Sequence, residues 1–318
     1  MSIIVDALQP RVVRALFSLS GRPSIQHVSD TITKAPQAGY DLDVDELSHE
    51  IRVDFREASF ISEAFGGDAS RLASACFTSM ADLIPALERA DSLPWALIRL
   101  YYSSFYAGHS VMRLLGHSCT YFEGRQTGLI KALLAARGSP VAFDLPSGLY
   151  KCSVNVGQTG FTMTFARGRV GGAHEIFWEV FDAILSGLTE EILRGQLLDR
   201  DAKAVFSKVE ALRRIYRRGV GASWLSSVRN EIQYRQGFGV WNPVKVNRSR
   251  RESLARLAGQ WTRDPMEIDV DAPPAGDLSA FIIACVFTAA LCRTLLTRVA
   301  DRSSVPAKSF ARLPLQLC

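Results

Sequence analysis

Apolar positions along this chain recur with helical period over most of its length and with period two in one place. Across residues 71–90, Leu72, Cys76, Met80, Leu83 and Leu87 fall on one stripe at helical spacing. Pro85 lies within that span and predicts a kink or a split, because it lacks the backbone N–H and crowds the preceding turn. A turn at 91–94 starts the next helix, 95–115, with Pro94 tolerated in its first turn and Gly116 at its end. Nearly every face of that helix is apolar, so other helices should enclose it. A shorter helix is expected at 127–136, and further helices at 173–193, 199–218, 222–236, 248–258 and 278–300. Gly219, Gly221 and the Gly237-Phe238-Gly239 run break several of these. Between 146 and 169 the apolar positions alternate on either side of Gly157-Gln158-Thr159-Gly160, a β-hairpin pattern within an otherwise helical chain.

The ends read less clearly. Residues 11–19 suit a short helix, and 39–54 interleave acidic and apolar positions. Gly66-Gly67-Asp68 reads as a break followed by a cap. Residues 1–66 are therefore expected to be an N-terminal extension of uncertain fold, 67–301 a helical domain with the hairpin inserted, and 302–318 a loosely held tail. Residues 264–277 read as a loop. The expected class is mainly α.

Composition is that of an ordinary globular chain: 318 residues, 47% hydrophobic and 22% charged. A net charge of +5 is mild, so a polyanion partner has to be argued from local groups. The six cysteines include no Cys-x-x-Cys pair and no histidine at zinc spacing, so no metal and no cofactor is implied. The first residues show no basic region followed by a long apolar run; no signal peptide is expected, and a reducing cytoplasm fits best. Residues 278–292 are apolar, but at about fifteen residues they fall short of the roughly 20 that cross a bilayer. With Asp277 before them and Arg293 and Arg298 toward the end, they read as a core helix, with no membrane partner. The Gly-rich run at 168–172 could seat an anion at the start of the following helix, although a plain loop is the commoner outcome. Phosphate-loop, dinucleotide-fold, nucleophile-elbow and zinc-protease motifs are absent from the sequence.

Two segments bear candidate chemistry. In the 222–236 helix, Trp224, Leu225, Val228 and Ile232 form an apolar stripe and leave Arg229, Asn230, Gln233 and Tyr234 as a polar group. Arg229 and Tyr234, five apart, are rotated by about 140° and are not expected to stack. A guanidinium on a buried helix needs a partner, since an unpaired charge there costs several kcal/mol, on the order given for buried ions. A carboxylate such as Glu231 is one partner; a phosphate is another. On the 95–115 helix, Arg99, Tyr106 and His109 lie within reach of one another. His109 titrates near neutrality, though a hydrogen-bonded core histidine is the commoner role. Basic residues form two groups, Arg213, Arg214, Arg217 and Arg218, then Lys245, Arg248, Arg250, Arg251, Arg256 and Arg263 with Trp241 and Trp261 nearby. Arginines with aromatics suit single-stranded nucleic acid; a solvated helix face is the alternative.

The run Arg99-x-Tyr101-Tyr102-x-x-Phe105-Tyr106-Ala107, together with Arg229-Asn230-x-x-x-Tyr234, resembles the HEPN superfamily of prokaryotic toxin–antitoxin, CRISPR and phage-defence proteins. The resemblance covers roughly residues 70–120 and 195–300. It implies a HEPN-like helical bundle, a homodimer or a complex with a partner subunit formed through the motif helices, and RNA or a nucleotide as ligand. Active members cut RNA without metal, using an Arg, a polar residue and then a His four to six positions on. Tyr234 stands where that histidine is expected. The resemblance implies Arg229 as the cation on the phosphate and Asn230 as its orienting neighbour; Arg99, Arg235, Arg248, Arg250 and Arg251 are the expected nucleic-acid contacts. Tyr234, with an ordinary pKa near 10, is a poor base, so His109 is the residue that could replace it. An endoribonuclease therefore competes with a non-catalytic assembly or sensor subunit that binds a partner protein or a small nucleotide.

Overall fold

The computed structural model describes residues 2–35, 39–166, 172–194, 198–219, 221–273 and 275–318. Among the described residues the protein is mainly α, 62% helical, with twelve α-helices and one small antiparallel sheet. The order is α1 (Ile3–Leu8), α2 (Thr31–Lys34), β1 (Tyr40–Asp45), β2 (Glu50–Phe55), α3 (Ser59–Met80), α4 (Leu83–Glu88), α5 (Leu93–Leu114) and β3 (His117–Phe122). Then follow α6 (Gly124–Ala136), β4 (Gly148–Val154), β5 (Gly160–Phe165), α7 (Ala173–Arg194), α8 (Asp199–Tyr216), α9 (Trp224–Arg235), α10 (Arg248–Ala258), α11 (Asp277–Asp301) and α12 (Arg312–Leu315).

Helix α5 is the centre of the molecule. It packs along α3 on one side and α11 on another, with α9 crossing nearby. Its nearly all-round apolar surface is what such a position requires. Helix α11 is long and apolar enough to span a membrane by length and composition, yet 83% of its most apolar window is buried inside the fold. It serves as the second core helix. Arg293, which interrupts its apolar run, donates to the carbonyls of Thr262 (2.6 Å) and Arg263 (3.0 Å) at its edge.

The expected hairpin is present as β4–β5, but it is not a free insertion. The sheet order is β1-β2-β5-β4-β3, so strands from both sides complete it. Ile51 pairs with Met163 and Val53 with Phe161, and all four are buried on one face. The acidic–apolar alternation at 39–54 is thus a strand pair whose apolar set faces the core. Strand β3 escaped the sequence reading because Ser118, Cys119 and Thr120 are all buried in succession, which erases the period-two signal.

Gly66-Gly67-Asp68 is not a break: all three lie inside α3 and are buried. A Cβ on Gly67 would overlap the Ile25 carbonyl oxygen, and one on Gly66 would overlap the Leu19 side chain. These glycines let the N-terminal segment lie directly on the helix, a use glycine shares with close backbone approaches elsewhere. The split expected near Pro85 occurs just before it, at Ala81 and left-handed Asp82 (φ 54°), and Pro85 sits in the first turns of α4. Residues 11–19 hold a 3-10 stretch, Arg14–Ser18, in place of an α-helix. The C-terminal residues are not loose. Phe310 and Ala311 are fully buried, and the backbone N–H groups of Ser304 and Phe310 donate to the carbonyls of Phe17 and Leu19.

Candidate functional site

Arg229 projects from α9 toward α5 and is only 6% exposed. Its guanidinium carbon lies 5.3 Å from the centre of the Tyr101 ring, 5.8 Å from that of Tyr102 and 5.9 Å from that of Tyr234. Tyr234, 69% exposed, therefore reaches the guanidinium after all; two long side chains span the rotation that backbone geometry puts between them. Arg229 Nη1 donates to Gln233 Oε1 at 3.2 Å. Its Nε–H is buried without a partner, and among the described residues no carboxylate pairs with Arg229. Glu231, the acid nearest in sequence, pairs instead with Arg235 at 3.3 Å.

A histidine not singled out by the sequence completes this group. His174, in the first turn of α7, places Nδ1 3.0 Å from the Tyr101 hydroxyl and its ring 4.4 Å from Phe105. Trp178 Nε1 donates to the same hydroxyl at 3.1 Å. Burial above all pushes the Tyr101 pKa up to about 12, so the phenol keeps its proton. Burial, and then the positive charge of Arg229, bring His174 down to about 4. Nδ1 of the neutral imidazole and the Tyr101 hydroxyl share one hydrogen bond, whose direction follows the tautomer. Nothing in the spacing around His174 marked it; only its position at a helix start after a glycine-rich run sets it apart.

His109 is not part of this group. It lies two turns along α5 from Tyr102, where its Nδ1 meets Arg113 Nη1 at 2.6 Å and its ring stacks 4.0 Å from Phe177. Burial first, then Arg113, hold it well below the ordinary histidine pKa. Asn230 follows Arg229 on α9 and is half-buried, turned by about 100° from it.

The basic residues mostly tie the fold together. Arg99 donates to the carbonyls of Ser79 (2.9 Å) and Ala81, joining α5 to the end of α3. Arg250 holds Ala275 O and Ser279 Oγ, Arg251 holds Glu88 O and Val246 O, and Arg248 pairs with Glu252. In the other group, Arg213 and Arg217 share buried Asp182, Arg214 lies 4.0 Å from Asp271, and Arg218 lies over Trp224. Trp261 stacks in the core on Phe77, while Trp241 packs edge-on against exposed Trp95. The glycine-rich run lies, for residues 167–171, outside the described residues.

Chemically, this group offers a buried cation with an unused N–H, an imidazole and three phenol rings. A guanidinium beside aromatic rings is chemically suited to an anion. No family model, curated protein or solved structure matches this chain.

Proposed function

We propose that this chain is a HEPN-like RNA-binding protein of a prokaryotic defence or toxin-type system, in which Arg229 receives a phosphate. The observation that carries this is the buried guanidinium of Arg229, with its unpartnered Nε–H and no carboxylate beside it among the described residues. A buried arginine serving structure alone is normally paired, because leaving its donors unmet costs about 1–3 kcal/mol. Phosphate supplies both the charge and the acceptors. Tyr102 and exposed Tyr234 present ring faces beside it, as single-stranded nucleic acid uses for base stacking. The defence context and assembly through the motif helices rest on the sequence resemblance alone.

Binding is favoured over cutting. Removal of the 2′-hydroxyl proton needs a base. His174, its pKa held at about 4, is a weak base, no hydrogen bond reaches the Tyr234 hydroxyl among the described residues, and His109 points into a different network. A sensor for a small nucleotide at the same pocket is the second reading, and it is favoured by the engagement of the surrounding arginines in the fold.

Fluorescence anisotropy with a labelled single-stranded RNA, titrated at several salt concentrations, tests the proposal. Arg229→Ala should weaken binding about tenfold or more and lower the salt slope by about one, the signature of a lost phosphate contact. Unchanged affinity and slope would remove the RNA reading. Direct binding of a nucleoside monophosphate without any RNA affinity would select the sensor.

A further inference from the structure

A separate cavity of about 270 Å³ lies where α3, α5 and β3 meet, lined by His27, Asp68, Arg71, His109, Arg113 and Thr120 among others. We propose that it is a second oxyanion site, taking a phosphate group between Arg71 and the Nε2–H of His109, and that it works independently of the Arg229 pocket.

Arg113 is the scaffold of this cavity. It is 3% exposed and donates from Nε to Asp68 Oδ2 (2.9 Å), from Nη1 to His109 Nδ1 (2.6 Å) and from Nη2 to Cys119 O (3.0 Å). An arginine can only donate, so His109 Nδ1 is the acceptor and its proton sits on Nε2. His109 is itself 92% buried by its 8% exposure, lines the cavity, and has no partner at Nε2 among the described residues. That atom is not among the fully enclosed ones, so its N–H is open to an acceptor entering the cavity.

Charge points the same way. Asp68, 2% exposed, is the one carboxylate lining the cavity, and two guanidiniums, Arg113 and Arg71, bond its two oxygens. One positive charge is left over. It belongs to Arg71, whose Nε reaches Gln26 O at 3.4 Å and whose side chain is 41% exposed at the cavity mouth. His27 Nδ1 stands 3.9 Å from Asp68 Oδ1, the oxygen that Arg71 also bonds. The volume is below the roughly 300–1,000 Å³ of pockets that enclose whole drug-sized ligands, so it suits a phosphate with little attached.

Calorimetric titration of the Arg229→Ala protein with orthophosphate, and in parallel with uridine monophosphate, tests the site with the first pocket removed. Saturable binding of one equivalent is expected, weakened about tenfold or more by adding Arg71→Gln and partly restored by Arg71→Lys, in line with one lost charged hydrogen bond. Response to both probes identifies phosphate itself as the ligand group; response to the ester alone assigns the site to a terminal phosphate. In the otherwise unaltered protein, the His109 Nε2–H resonance should shift on addition of the binding probe. No binding of either probe, binding untouched by Arg71→Gln, or an unmoved His109 resonance would overturn the site. Failure here leaves the RNA titration of Arg229→Ala unaffected, and the reverse holds equally.

Discussion

Two arginines of nearly equal burial should respond to the same substitution with opposite signs. Arg229 and Arg113 are 6% and 3% exposed. Arg229→Met removes a charge whose Nε–H has no partner, and whose one hydrogen bond reaches Gln233, among the described residues. The stranded donor costs about 1–3 kcal/mol, and the ring contacts return about 0.5–2 kcal/mol. Replacing an imperfectly compensated buried ion with an apolar side chain of similar length is often stabilising by about 1–4 kcal/mol, so a net gain of about 1 kcal/mol is expected. In a chain of this size that raises Tm by about 2 °C. Arg113→Met instead strips Asp68 of its inner partner and His109 of its donor, and should cost about 3–5 kcal/mol. Differential scanning calorimetry and urea denaturation of both variants measure this directly. A loss of 2 kcal/mol or more in Arg229→Met, on the order of an ordinary structural truncation, would show that Arg229 is held for the fold and refute the argument for an anion site.

Acid should weaken the fold before its carboxylates titrate. His109 and His174 are both held below the ordinary histidine value of 6.5, His174 at about 4. The unfolded chain therefore binds protons that the native state refuses, and their contribution is complete above about pH 6.5 and falls as pH drops toward 4. Urea midpoints between pH 7 and 5 should decline, with a shallower slope in His174→Gln; an equal slope contradicts the assignment. Gly67→Ala should destabilise by more than the helix-propensity gain of about 1 kcal/mol that alanine otherwise brings, because the new methyl meets the Ile25 carbonyl; a rise in Tm would show that the N-terminal segment yields. Phe310→Ala should cost about 3–5 kcal/mol in chemical denaturation, as for a buried aromatic, and a neutral result would return residues 302–318 to the status of a loose tail.

Helix positions were legible because their apolar stripes are local: α5, α7, α10 and α11 begin and end within a few residues of where periodicity, glycines and charges placed them. The hairpin was legible for the same reason. The two arginine groups were legible as charge but not as role, since the acids and carbonyls that engage them come from distant segments, such as Asp182 for Arg213 and Glu88 for Arg251.

By itself, then, the sequence determined the helical class, the β4–β5 turn, and the presence of a costly arginine beside tyrosines on apolar helices. Tertiary structure alone decided that 39–55 and 117–122 join the hairpin in one sheet, because a strand's own periodicity does not name its partner and β3, buried in succession, shows none. It decided that Gly66 and Gly67 continue a helix, because a close approach by another segment cannot be told from a break in one dimension. It also put His174 rather than His109 beside Arg229, because which side chains meet across α5, α7 and α9 depends on how the helices are rotated against one another.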